Sequence, residues 1–177
     1  MGILIGAKPD SGFDDPIGML VDCHRRIEHF LHILCMVAGR AHRRGLTDEE
    51  KEAVEAALHY FHVGGQRHNA DEEESLFPRL RAARAVSELG DLSGLESDHQ
   101  RASQLHAEVE DLYRRWVAMG RLQPEDEQRI LAATDQLKRL YQEHIRIEEQ
   151  VVFPRAAEAL DGQAIAAMGQ EFRARRV

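Results

Sequence analysis

Two segments of the chain place a histidine four residues before a glutamate. They read QRHNADEEESLFP over residues 66–78 and QEHIRIEEQVVFP over residues 142–154. On an α-helix, positions i and i+4 lie on one face, so both side chains of each pair can reach one point. Imidazole and carboxylate groups that converge in this way suit a transition metal ion. The candidate ligands in these segments are His68, Glu72, His144 and Glu148.

The two segments are copies of one motif and align with each other at a constant offset, without insertions. The match extends through a second glutamate, a phenylalanine and a proline, which indicates two equivalent structural units. One further histidine precedes each segment at nearly the same offset, His24 in the first half and His99 in the second. If the halves meet about a pseudo-twofold axis, four imidazoles and two carboxylates converge. Such a set can bind two metal ions, with the carboxylates bridging them.

Neighbouring acids fit this geometry less well. Glu73 and Glu149 follow their histidines by five residues, which turns them about 140° away, towards solvent or a supporting role around the ligands. Asp71 lies three residues after the first motif histidine and could lean towards the site. Its counterpart in the second segment is the apolar Ile147, so Asp71 ranks below the glutamate that follows it.

The remaining histidines have less support from the repeat. His106 shares a helix face with His99, and Glu28 shares one with His24, so His106 and Glu28 are candidates for hydrogen-bonding a ligand. Histidines without a counterpart at the repeat offset are expected to be exposed or to cap helices; they are His29, His42, His59 and His62.

Hydrophobic spacing and capping signals predict four long helices and one short one. The predicted ranges are Pro16 to Arg44 stopped by Gly45, Thr47 to Pro78, Leu95 to Met119 after a turn at Gly90 to Gly94, Pro124 to about Pro154, and Gln163 to Arg173 after the Asp161 cap. Pro78 is expected to bend or end its helix, and the fourth helix to end near Pro154. Gly64, one turn before His68, indicates close helix contact or a kink, or alternatively a small cavity.

Short connections between the long helices predict an all-α, antiparallel up-down-up-down four-helix bundle with a short C-terminal helix. We divide the chain into an N-terminal extension (1–15), the bundle (16–160) and the C-terminal helix with a basic tail (161–177). The extension either packs across the bundle or frays.

Composition narrows the function classes. The chain has 177 residues, 43% of them hydrophobic and 31% charged, as in an ordinary globular domain. A net charge of −8 argues against a nucleic-acid partner. No apolar run resembles a signal peptide or a membrane span, so we expect a cytoplasmic protein without membrane contact. Cys23 and Cys35, about 18 Å apart along one helix, are expected to be free thiols, the second buried and inert.

With HxxxEExxLFP and HxxxEExxVFP each preceded by a His-bearing helix, the chain resembles the hemerythrin-like HHE cation-binding family over about residues 15 to 160. The resemblance implies a four-helix bundle that holds a non-haem di-iron centre with an oxo or hydroxo bridge. The residues at the family's ligand positions are His24, His68, Glu72, His99, His144 and Glu148.

The ligand pattern departs from that of the oxygen carriers. Hemerythrin proper has a five-histidine set with a second histidine one turn after that of helix three, where this chain has Ser103. The symmetric set of four histidines and two glutamates is more similar to the bacterial iron–sulfur cluster repair proteins. It is also similar to the hemerythrin-like domain of an iron-sensing ubiquitin-ligase subunit.

The resemblance and the residues together predict a di-iron protein that binds or reacts with O2, NO or peroxide at an open iron position. Whether it acts as an enzyme on peroxide or NO stays open. Zinc and manganese suit the same donors as iron. Two other hypotheses are an iron or oxygen sensor whose bundle is ordered by metal, and a zinc-bound structural bundle without redox activity.

Overall fold

The computed structural model describes residues 10–40, 44–83 and 92–177. These ranges contain five helical runs and no β-strand. The runs are α1 (Pro16–Ala38), α2 (48–82), α3 (Ser93–Met119), α4 (124–159) and α5 (Gly162–Ala174). None of the described helices is both long enough and apolar enough to cross a membrane.

The two motif helices contain wider, π-helical turns. α2 consists of α-helical Asp48–Tyr60, π-helical Phe61–Gly65, α-helical Gln66–Ala70, π-helical Asp71–Leu76 and α-helical Phe77–Ala82. α4 consists of α-helical Pro124–Ile147, π-helical Glu148–Val152 and α-helical Phe153–Ala159. A π-helical turn therefore precedes the motif proline in both halves.

These turns explain why neither motif proline ends its helix. The Phe77 N–H donates to the Glu72 carbonyl and the Phe153 N–H to the Glu148 carbonyl, five residues back in each case. A proline ring clashes with the carbonyl four residues earlier in a regular α-helix, and a wider turn relieves that clash. The predicted end of helix four near Pro154 is therefore wrong, since α4 continues to Ala159.

Most of the predicted helix ends are confirmed. Asp15 caps α1 by accepting from the Gly18 N–H at 2.9 Å, and Thr47 forms a capping box with Glu50 at the start of α2. Gly120 ends α3, and Asp161 caps α5. The predicted end of helix one at Arg44 is wrong, because the helix ends at Ala38 and a turn follows at Gly39, a residue that disfavours helix. Residues 90 and 91 of the predicted turn lie outside the described residues, and α3 begins at Ser93, so Ser93 and Gly94 are helical and not part of a turn.

The four long helices form the predicted all-α bundle. α1 packs beside α2 and α4, α3 packs beside α4 and α2, and α5 covers one end against α1 and the second π-helical turn of α2. The backbone of Phe13, in the N-terminal extension, lies so close to Gly169 of α5 that a side chain there would collide with it. Residues 10–15 thus pack on the bundle.

Two apolar cores are separated by a polar layer. The larger core includes Leu34, Val54 and Trp116, and the smaller core includes Leu76 and Phe172. Along α2, members of the larger core end at Phe61 and members of the smaller core begin at Leu76, so His68 and Glu72 fall between them. The fold therefore positions the motif side chains inside the bundle, away from both ends.

Substitution of Gly120 tests whether the turn between α3 and α4 requires the left-handed backbone conformation of a glycine. Its φ is 71°, and a Cβ added there would meet no atom within 4 Å, so only backbone conformation penalises a side chain. Gly120→Ala should lower the free energy of unfolding by about 1 kcal/mol. Gly94→Ala, at an equally open helical position, should not lower it and should raise it slightly. Urea unfolding of both variants measures this, and shifts of the two midpoints in the same direction would contradict it.

Candidate metal centre

The structure brings the six predicted residues into one buried layer. Each side of the bundle contributes, and each of the six is at most 5% exposed. The contributions are His24 from α1, His68 and Glu72 from α2, His99 from α3, and His144 and Glu148 from α4.

The donor atoms of these residues form two clusters that share both carboxylates. In each cluster, four donor atoms lie within 4.8 Å of one another. The first cluster contains His24 and His68, the second contains His99 and His144, and both contain Glu72 and Glu148. Each cluster has the number of donors that a metal ion needs from a protein.

Each shared carboxylate directs one oxygen towards each cluster. The Glu148 Oε2 atom is 3.1 Å from His24 Nε2, and its Oε1 atom is 3.1 Å from His144 Nε2. The Glu72 Oε1 atom is 3.5 Å from His68 Nε2, and its Oε2 atom is 3.3 Å from His99 Nε2. This is the arrangement required of carboxylates that bridge two cations.

The layer is short of hydrogen bonds. Among the described residues, none of the four oxygens of Glu72 and Glu148 is in a hydrogen bond of normal geometry, and His24 Nε2 also lacks one. Burying an ionised carboxylate without partners costs several kcal/mol. A cation would satisfy these atoms, and the donor set of imidazole and carboxylate contains no thiolate. The residues therefore fit a metal centre.

The second glutamate of each motif orients a histidine on a neighbouring helix. His99 Nδ1–H donates to Glu73 Oε1 at 2.7 Å, and His24 Nδ1–H donates to Glu149 Oε1 at 2.9 Å. A proton held on Nδ1 leaves Nε2 free as a metal ligand and fixes the ring orientation. The prediction that these acids lie outside the ligand cluster is confirmed.

The other two histidines are supported unequally. His144 Nδ1 makes no hydrogen bond among the described residues, but a carboxylate oxygen, Asp98 Oδ2, lies 3.6 Å away. His68 Nδ1 is buried and has no hydrogen-bond partner among the described residues. The counterpart of Asp98 in α1, just before His24, is Cys23, whose buried thiol is a weak acceptor. The two halves of the centre are therefore similar but not identical.

The repeated phenylalanines cover the histidines on the side of the smaller core. Phe153 stacks on His24 with ring centroids 5.4 Å apart, and Phe77 lies parallel to His99 at 6.4 Å. No role was predicted for these aromatic residues from the sequence. Their recurrence at the motif offset was the signal that could have identified one.

The protonation of the metal-free layer is set by burial and by mutual contacts. Burial opposes a charge on His24 and His144, but the adjacent Glu148 carboxylate outweighs it and raises the pKa of both imidazoles. Burial and Glu148 raise the pKa of Glu72 well above its usual value. Burial acts in the same direction on Glu148, but His144 and His24 outweigh it and lower the pKa of Glu148. Burial, then His24, lower the pKa of His68. Protonation of His24, His144 and Glu72 is therefore favoured in the metal-free layer.

Asp71 lies beside the ligand layer without entering it. Its carboxylate is fully buried and accepts from Arg175 Nη1 at 2.9 Å and from Arg176 Nη2 at 2.6 Å. Burial raises the pKa of Asp71, although the two guanidinium groups act in the opposite direction. The lower rank given to Asp71 is confirmed. Arg175 and Arg176 of the basic tail form ion pairs with Asp71 that connect the end of α5 to α2.

Two predicted supporting residues lie elsewhere. Glu28 is exposed, and His106 Nε2 is 3.1 Å from the Tyr141 hydroxyl, so the expectation that they hydrogen-bond a ligand is wrong. Glu28 lies one turn and His106 two turns beyond the layer along their helices. Three histidines without a counterpart in the repeat are exposed, as expected: His29, His59 and His62. The fourth, His42, lies outside the described residues.

The cysteines and Gly64 also have clear positions. Both cysteines are free thiols, as expected. Cys35 is only half-buried, so the expectation that it is buried is wrong, and its thiol donates to the Thr134 carbonyl at 3.7 Å. A side chain on Gly64 would place its Cβ 2.7 Å from the Tyr60 ring, which supports the packing explanation. A cavity of about 220 Å³ between α2 and α3 borders the next residue, Gly65.

Comparison with known proteins agrees with this geometry. The model of the hemerythrin HHE cation-binding domain matches residues 15–156. The chain belongs to this family. A protein of Haemophilus influenzae described as uncharacterised is 28% identical to this HHE-domain protein over 170 residues, which cover 93% of this chain and 91% of that protein. The family and the buried histidine–glutamate clusters together indicate a metal-binding protein.

Replacing Asp71 should separate its role from that of the adjacent Glu72. Asp71→Asn removes the charge that holds two arginines and should lower the free energy of unfolding by about 2 kcal/mol, with metal stoichiometry unchanged. Glu74→Gln is the matched control, because Glu74 is exposed and contacts the same Arg175 at 3.2 Å. It should cost less than about 0.5 kcal/mol. Equal losses in urea unfolding, or loss of metal from Asp71→Asn, would contradict this assignment.

Proposed function

We propose that this HHE-domain protein holds two iron ions and binds or reacts with a small ligand, namely O2, NO or peroxide. The observation that carries the proposal is the sharing of Glu72 and Glu148 between two histidine clusters. A single-ion site would not need both oxygens of both carboxylates to face different histidine pairs. The two proposed metal positions correspond to the two halves of the pseudo-twofold repeat, because each histidine pair comes from one half.

The assignment of ligands follows the clusters. One iron would be held by His24 and His68, the other by His99 and His144, and the two glutamates would bridge them. Imidazole with carboxylate is a donor set that suits iron, and zinc and manganese are the competing ions. Bound iron would supply redox electrons and an open position for a small ligand.

The protein itself orients the metal-binding imidazoles and limits the access of water to the layer. Glu73 and Glu149 hold two imidazoles by hydrogen bonds of 2.7 and 2.9 Å, so the donor atoms are fixed before an ion arrives. Phe77 and Phe153 cover the layer at one end and are at most 4% exposed. Water therefore cannot approach from the end that α5 covers, which strengthens electrostatic interactions inside the layer.

Anaerobic iron loading tests the ligand assignment. The wild-type chain should bind two irons, and Glu72→Gln should lose at least one of them because it removes a shared carboxylate. Glu73→Gln should keep two irons with an affinity about 10–100-fold lower, since Glu73 orients His99 without binding metal. Equal loss of iron from both variants would show that the position of Glu72 four residues after His68 does not select the ligand.

Exposure of the loaded protein to O2, NO and H2O2 in separate samples tests the reactivity. We expect the absorption bands of an iron-bound diatomic or of an oxo-bridged pair, followed by optical spectroscopy. A protein that binds two zinc ions in preference to iron and shows no response to any of the three would instead be a structural zinc bundle.

A sensor function is the second candidate, supported by the position of the layer. The donors come from all four long helices and separate two apolar cores, so metal occupancy is coupled to bundle packing. Removal of metal should leave the fold weaker, with faster proteolysis under native conditions. Limited proteolysis of metal-free and loaded protein measures this, and equal cleavage rates would argue against a sensor.

A further inference from the structure

The pseudo-twofold symmetry breaks in the layer next to the metal centre. One helical turn from the ligand histidines, on the side away from the glutamates, each long helix contributes one residue. These residues are Ile27 in α1, Gly65 in α2, Ala102 in α3 and Tyr141 in α4. At the repeat offsets, Ile27 corresponds to Ala102 and Tyr141 corresponds to Gly65, so each half pairs a large residue with a small one.

The two small residues border a cavity between α2 and α3. It has a volume of about 220 Å³ and is lined by Gly65, Ala102 and the Tyr141 ring, among others. A π-helical turn, Phe61–Gly65, widens α2 at this point, whereas α4 is a regular α-helix at the corresponding residues. With water occupying about 30 Å³ per molecule, the cavity has room for a ligand of a few atoms.

The opposite face of the bundle carries a related but different recess. This recess between α1 and α4 has a similar volume of about 200 Å³. Apart from Leu31 and Tyr141, the residues that line it are exposed, and Ile27 is not among them. The Tyr141 ring lies between the two recesses as a shared wall. The α2–α3 cavity therefore borders three of the four residues that adjoin the centre, Gly65, Ala102 and Tyr141, whereas the α1–α4 recess borders only Tyr141.

The α2–α3 cavity also carries polar residues at two positions where the other half of the repeat carries apolar ones. His106 Nε2 is 3.1 Å from the Tyr141 hydroxyl, and the residue that corresponds to His106 in the other half is Leu31. Asn69 corresponds to Ile145, and its side-chain oxygen is buried without a hydrogen-bond partner among the described residues. Phe61 packs on the His106 ring at 4.2 Å and holds it in place.

Building on the proposed di-iron function, we propose that a small uncharged ligand reaches the metal pair through the α2–α3 cavity, where the Tyr141 hydroxyl donates a hydrogen bond to it. His106 is a positioning residue that holds this hydroxyl. The ligand class is a diatomic gas or hydrogen peroxide, because the cavity is small and its inner wall is formed by Phe61, Ala102 and the Tyr141 ring.

The protonation of this pair is consistent with a donor role. Burial, followed by Tyr60, Glu72 and Glu148, raises the pKa of Tyr141, so its hydroxyl keeps its proton at neutral pH. Burial lowers the pKa of His106 to about 4, which leaves the imidazole uncharged. A neutral imidazole can donate from Nε2 to the tyrosine oxygen and leave the tyrosine proton for the ligand.

The first test uses metal-free protein and dissolved O2 as a paramagnetic probe. Methyl resonances of Ala102 and Ile27 are compared by NMR under air and under O2 pressure. The Ala102 methyl should relax several-fold faster than the Ile27 methyl, because only the first borders the cavity. Equal relaxation of the two methyls would overturn the proposed route, and the result does not depend on whether the protein binds iron.

The second test uses iron-loaded protein and NO in stopped-flow experiments. Ala102→Ile places in α3 the residue that α1 carries and should slow NO association by about 10-fold or more with two irons retained. His32→Ala, on the exposed recess of the other face, is the matched control and should bind NO at the wild-type rate. The proposed route through the α2–α3 cavity would be overturned if the Ala102→Ile variant kept two irons and bound NO at the wild-type rate.

The hydrogen bond is tested by dissociation. Tyr141→Phe should release NO about 10-fold faster with little change in association, as expected for loss of one hydrogen bond. His106→Leu should have a similar effect, and the double variant should be no faster than Tyr141→Phe alone, because both act through one hydroxyl. Additive effects would overturn the positioning role of His106, and an unchanged release rate in Tyr141→Phe would overturn the role of Tyr141.

Discussion

Two fully buried carboxylates are the constraint on which the rest of this structure depends. Glu72 and Glu148 lie between two pairs of histidines. Hydrogen bonds within the described residues do not satisfy their carboxylate oxygens. Without a cation, the raised pKa values of His24, His144 and Glu72 favour protons on these three groups, which offset part of the buried negative charge. The bundle therefore carries, between its two apolar cores, a polar layer that destabilises the metal-free fold and that a pair of cations would stabilise.

The helices are adapted to hold this layer. A π-helical turn begins just before Glu72 and at Glu148, and it lets each helix pass its motif proline. The helix then carries Phe77 or Phe153 back over a histidine of the other half. Asp71 occupies the same turn as Glu72 but faces away from the centre and accepts hydrogen bonds from two arginines of the C-terminal segment. Adjacent acids in one turn thus serve the centre and the packing of α5.

Helical spacing and the internal repeat were sufficient to predict the bundle and the set of converging residues. The i+4 rule selected Glu72 over Glu73, and the repeat offset found His24 and His99, which local spacing alone would miss. The six predicted residues do converge, while their role as metal ligands and the identity of the metal stay predictions.

Features that depend on contacts between helices could not be read from the sequence. Nothing in the spacing of Glu73 shows that it reaches His99 across the bundle, and the π-helical turn at Pro78 depends on packing around the proline. Tyr141 belongs to the larger apolar core, and helical spacing does not show that its hydroxyl bonds His106 of α3. The contrast between Tyr141 and Gly65 at equivalent positions was visible in the sequence, but its meaning required the cavity.

Anomalous diffraction at the iron edge from crystals of the iron-loaded protein tests the central claim most directly. We predict two peaks about 3.5–4 Å apart. One peak should lie beside His24 and His68, the other beside His99 and His144, with Glu72 and Glu148 between them. A single peak, or two peaks that do not share both glutamates, would contradict the claim.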